Sequence, residues 1–134
     1  MTLAHSRAPS IDDIERIAAA AFALLPAEFR ALCDNLVIHV EDFAPDDVLE
    51  SLGLADAFEL TGLYEGVDVT AKSLADPAAG PDHVFLYRRP LLDEWADNGE
   101  ITLEELVRHV LVHEIGHHFG FSDEAMHDIE ARAG

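Results

Sequence analysis

The chain has 134 residues, enough for one hydrophobic core and too few for a second lobe. Its 27 acidic against 8 basic side chains give a formal charge of −19, which favours solubility and repels nucleic-acid phosphates. This acidity reads as a solvated surface rather than a recognition patch. Cys33 is the only cysteine, which excludes an internal disulfide, suits a reducing compartment and leaves this thiol a packing role.

Residues 1–9 have the composition of a loose tail, with no basic start leading into an apolar run, so no signal peptide is expected. The apolar run from Ile17 to Leu25 is too short to span a membrane. The expected location is the cytoplasm. Ser10 can cap a helix whose first turn carries Asp12 and Asp13, favourable at the positive end of the helix dipole. That helix is expected to reach about Leu25, with Pro26 ending it or opening a second short helix through Cys33. Its Ala18–Ala21 run suits close packing. Asn35 to Phe43 alternates Leu36, Ile38 and Val40 against Val37, His39 and Glu41, the period of a strand. His39 there reads as a strand residue, not a ligand.

Pro45 can open a short helix that Gly53 closes. Asp56 to Glu65 predicts a strand or half-hairpin, and Gly66 to Asp82 a long surface loop that could overhang a site. His83 to Arg88 is the next strand-like run, followed by a short helix from Pro90 that Asn98-Gly99 ends. After a further helix that Thr102 opens and Gly120 can end, residues 123–132 predict a last short one. There is no repeat and no regular βαβ period. The fold class expected is α+β: a single compact domain over 10–134, with a small mixed sheet packed on helices.

The chemistry concentrates between Leu103 and Asp123. Thr102 and Glu105 form a T-x-x-E capping box, and Leu103, Leu106, Val107 and Val110 define an inward helical face. His113-Glu114-Ile115-Gly116-His117 follows on the same helix. Residues four apart share a face, so His113 and His117 can hold one metal ion. Glu114 is offset by about 100 degrees, where it reaches a water on the metal rather than the metal itself. Continuing the apolar stripe places Glu114 and His117 on a buried face, a costly arrangement unless they serve a metal. Gly120 can end the helix in a left-handed turn, and Asp123 beyond it is the expected third ligand. Glu124, His127 and Glu130 are competitors, the last two only if the final helix crosses the site. Asp123 could instead cap that helix, a job open to Ser122 as well. Zinc, one ion per chain, is the expected metal, although two histidines and a carboxylate also suit iron.

The H-E-x-x-H-x-x-G-x-x-D pattern resembles the zinc helix of the zincin metallopeptidases, in the metzincin layout with Asp in place of the third His. More closely, His113 to Glu124, with Gly62-Leu63-Tyr64-Glu65-Gly66 and Val84-Phe85-Leu86-Tyr87-Arg88 upstream, resembles the minimal zincin family of small bacterial predicted peptidases. The likeness runs from about Ile11 onward. It implies a zincin-like domain with a central zinc-binding helix, a zinc ion on His113, His117 and Asp123, Glu114 as general base, and a peptide or protein substrate. It also implies that Val84 to Arg88 lines the cleft and pairs with an extended peptide. Unlike true metzincins, the chain has no later Met-containing turn to lie under the metal, and Met126 reads as helix core. Tyr64, Tyr87, His118 and His127 are open candidates for oxyanion stabilisation, with His118 also readable as structural and His109 as solvated. The alternatives are a non-catalytic zincin-like partner-binding domain and a metal-dependent endoribonuclease, the latter opposed by Glu114 and by the charge.

Overall fold

A computed structural model describes residues 7–66 and 82–133. Each element starts where a local signal permits it. Helix α1 (Ile11–Ala23) begins at Ser10, whose hydroxyl accepts the Asp13 N–H at 3.1 Å while the Asp13 carboxylate accepts the Ser10 N–H at 2.8 Å. This reciprocal box satisfies two of the donors that every helix start leaves open. Helix α2 (Ala27–Leu32) follows Pro26, and strand β1 (Leu36–Glu41) follows Cys33. Helix α3 (Asp46–Ser51) starts after Pro45, and a single 3-10 turn (Ala57–Glu59) precedes strand β2 (Gly62–Glu65). Strand β3 (Asp82–Tyr87) passes without a loop into helix α4 (Arg88–Asp97). Pro90 is tolerated there because the first turn of a helix does not use its N–H groups. Helices α5 (Leu103–His118) and α6 (Asp123–Ala133) complete the chain.

The three strands form one mixed sheet in the order β1-β3-β2. β1 runs parallel to β3, with Leu36 opposite Asp82 and Glu41 opposite Tyr87. β2 is antiparallel to β3, with Gly62 opposite Leu86 and Glu65 opposite His83. β3 is therefore paired on both sides.

The alternation in β1 decides which face meets the helices. Leu36, Ile38 and Val40 join Val84 and Leu86 against Ile14, Ala18 and Ala21 of α1 and the apolar side of α5, the main core. The alanines Ala18 and Ala21 are buried, which lets α1 come close to α5. On the other face, Tyr87, Ala44 and Leu49 form a smaller cluster with Val48, Leu54, Leu60, Leu63 and Phe85. His39 lies on this outer face, its ring stacked on Phe85 at 4.7 Å, with Nε2 2.8 Å from His83 Nδ1.

The α+β class, the small mixed sheet and the central helix all agree with expectation. The first helix ends two residues sooner than its apolar run suggests, with Leu24 as its C-cap and Leu25 buried beyond it. The expected long surface loop falls on 67–81, and most of the expected tail on 1–6, both outside the described residues. Arg88 ties Pro9 to the fold, donating from Nε to its carbonyl at 2.6 Å.

Candidate metal centre

α5 positions the motif from both ends. At its start the Thr102 hydroxyl accepts the Glu105 N–H at 3.0 Å, and the Glu105 carboxylate accepts the Thr102 N–H at 3.2 Å. At its end Gly120 adopts φ +76°, a conformation that a side chain would strain. The Gly120 N–H then donates to the His117 carbonyl at 3.1 Å and the Phe121 N–H to the Gly116 carbonyl at 2.8 Å. These two bonds make a Schellman closure that reverses the chain directly after the motif. Ser122 caps the next helix: its hydroxyl accepts the Ala125 N–H at 3.1 Å. The capping role that competed for Asp123 is thus taken by its neighbour.

The reversal brings His113, His117 and Asp123 together, with one ligand atom of each lying within 4.8 Å of the others. Two imidazoles and a carboxylate at this separation fit zinc by donor type and by number, leaving a fourth coordination position. Their exposure departs from the sequence expectation. His113 and Glu114 are half-buried, but His117 and Asp123 are exposed. The inward stripe does not continue to His117: Val112, Ile115 and Gly116 are the buried positions of this stretch, and His117 faces outward.

Glu114 stands against β2. A Cβ placed on Gly62 would lie 3.3 Å from the Glu114 Cγ and 2.7 Å from the Val110 Cγ1. Only glycine lets the strand pass this close. Burial raises the Glu114 carboxyl above the usual range, opposed by His117. His113 is lowered, first by burial and then by His109, with Glu130 acting in the opposite sense. On the far side of the helix, Met126 is fully buried and packs on Gly116, where a Cβ would meet its sulfur at 2.5 Å. Met126 is core, as its position suggested.

The open candidates separate by position. Tyr87 is 1 % exposed and belongs to the cluster on the outer face of the sheet, its hydroxyl raised to about 12 chiefly by burial. Tyr64 stacks on His118 at 4.0 Å, and burial followed by Asp82 raises its hydroxyl. His118 is thus engaged in packing, and its Nε2 has no hydrogen-bond partner among the described residues. His127 and Glu124 are exposed. Glu130 is the competitor that comes close: α6 does cross the site, bringing Glu130 Oε2 to 3.4 Å from His113 Nε2. Its partner His109, expected to be solvated, is exposed but holds Glu130 Oε1 at 3.0 Å from Nδ1. The spacing of 130 from 123, two helical turns, was the signal for this approach.

The expectation that Val84 to Arg88 offers a free strand edge is overturned. β3 is the central strand and spends its backbone groups on β1 and β2, and Arg88 already belongs to α4. The strand beside Glu114 is β2, which among the described residues has a neighbour on one side only. The Tyr87 N–H donates to the Thr61 carbonyl at 2.9 Å. With Gly62 opposite Leu86, the alternation of an antiparallel ladder then turns the backbone groups of Gly62 and Tyr64 away from β3.

Among the described residues no helix is long and apolar enough to cross a membrane. Comparison with curated proteins gives no match. The family model of the zincin-like metallopeptidases matches residues 33–133, from the end of α2 through α6 and including the whole H-E-x-x-H helix, and the chain belongs to that family.

Proposed function

We propose that this chain is a zinc-dependent hydrolase that cleaves peptide bonds, with His113, His117 and Asp123 as the metal ligands and Glu114 as the general base. The observation that carries this reading is the convergence of three ligand atoms within 4.8 Å, on a helix whose Glu114 stands against β2. Zinc, when bound, supplies a Lewis acid that acidifies a water and polarises a substrate carbonyl. Glu114 would accept a proton from the attacking water and deliver it to the departing amine. Its half-buried setting suits the second step, because burial favours the protonated carboxyl. β2 passes close to Glu114 at Gly62, which places the base beside the strand edge.

An extended peptide or protein segment is the substrate this arrangement accommodates. Its backbone would pair with the outward groups of Gly62 and Tyr64, adding a strand to the sheet at the edge nearest Glu114. The exposure of His117 and Asp123 leaves the metal side open to a polymeric substrate. A lone, buried cysteine is consistent with action in the cytoplasm. A partner-binding domain without catalysis would have no use for a half-buried carboxylate at 114.

The test is Glu114→Gln. The variant should keep its zinc and lose a factor of about 10²–10⁴ in turnover of any peptide cleaved by the wild type, identified by peptide-library digestion. Undiminished turnover would remove Glu114 from the mechanism and, with it, this reading.

A further inference from the structure

One helical turn before His113, His109 stands on the same side of α5, and α6 passes beside both. The two rings lie 4.0 Å apart between centroids. Glu130, its side chain 17 % exposed, is placed at the crossing with one oxygen toward each ring. His109 Nδ1 is 3.0 Å from Oε1, and His113 Nε2 is 3.4 Å from Oε2. A tetrahedral ion with bonds of about 2.0–2.1 Å to nitrogen and oxygen keeps its ligand atoms about 3.3 Å apart. Each imidazole thus has a carboxylate oxygen near that separation, and rotation of the Glu130 carboxylate chooses which oxygen an ion would take. A ligand atom from each of the three residues lies within 4.8 Å of the other two.

We propose that His109, His113 and Glu130 form a second position for a divalent transition metal, sharing His113 with the first. A neutral imidazole has one ring nitrogen free to ligate, because the other carries the proton. His113 therefore serves one ion at a time. An ion in the second position takes His113 away from His117 and Asp123, so the two positions are alternatives whose occupancy follows their relative affinities. At low metal concentration the same carboxylate accepts a hydrogen bond from His109.

The experiment titrates the metal-stripped full chain with Co2+ and Zn2+, following the visible absorption of Co2+ and the heat of Zn2+ binding. His109 and His117 are exposed, so either can be truncated without opening the core. His117→Ala, which disables the first position, should still bind one ion. Adding His109→Ala or Glu130→Gln to that variant should weaken binding at least tenfold. Asp123→Ala provides the same background by a different route. Absence of binding in both His117→Ala and Asp123→Ala would overturn the second position, as would binding there that ignores residues 109 and 130. A wild-type background in which His109→Ala strips the metal and His117→Ala does not would instead overturn the assignment of the first position, leaving the second intact.

Discussion

The two halves of α5 put the same helix to opposite uses. From Leu103 to Val110 it is one-sided: Leu103, Leu106, Val107 and Val110 are buried, while Glu104, Glu105 and His109 are exposed. From Leu111 to His118 the apolar residues spread around the helix, with Leu111, Val112 and Ile115 all fully buried, and the polar residues are confined to His113, Glu114, His117 and His118. The first half is an amphipathic support whose energy comes from burial. The second is packed on several sides and leaves open chiefly the strip that carries the motif. The second half, by contrast, carries its polar residues against fully buried neighbours. The lesson is that the packing on the back of the motif, through Gly116 and Met126, matters to the site as much as its ligands do.

The largest effect that would sharpen this contrast is on metal content. Elemental analysis should find about one zinc per wild-type chain and nearly none in His113→Ala, with the melting temperature lowered by chelator in the wild type alone. Equal zinc in both proteins would break the comparison, because the second half would then be support like the first. Next comes the support itself. Leu106→Ala should cost about 2–5 kcal/mol in denaturant unfolding, since Leu106 is 2 % exposed in the main core. The folded fraction should nevertheless bind zinc with wild-type stoichiometry. A proportionate loss of affinity would show that the halves are not separable.

A smaller effect is expected where the halves meet α6. Gly116→Ala removes a residue unfavourable to helix, but the new methyl meets Met126, which has no exposed side into which to move. The overpacking, about 1–3 kcal/mol, should outweigh the gain in helix propensity. Met126→Ala combined with Gly116→Ala should then be less damaging than the sum of the two, read as a coupling energy in a double-mutant cycle. Strict additivity would mean that the close approach is not what holds α6 under the motif. The smallest effect is at the cap. Thr102→Ala should cost about 1 kcal/mol of stability while leaving zinc binding unchanged, a readout available from calorimetry and metal titration on one sample.

Local features are legible in the order of residues alone. The capping boxes at Ser10–Asp13 and Thr102–Glu105, the Gly120 closure, the alternation of β1 and the i,i+4 histidines all depend on residues a few positions apart. The order of the strands is not legible in that way, and it changes a functional assignment. β3, legible as a strand, is the central one with no free edge, and the short, glycine-led β2 lies beside Glu114. The pairing of His39 with His83 is likewise hidden, since it depends on the register of two strands 44 residues apart.

What the sequence determined by itself was the identity and spacing of the motif, the turn after it and the α+β class, because helical period, capping chemistry and the left-handed tolerance of glycine act within a few residues. Only the tertiary structure decided how α6 crosses α5. That crossing sets Glu130 between His109 and His113. The angle of such a crossing follows from how side chains such as Met126 and Gly116 fit together across the interface, and no local rule contains it.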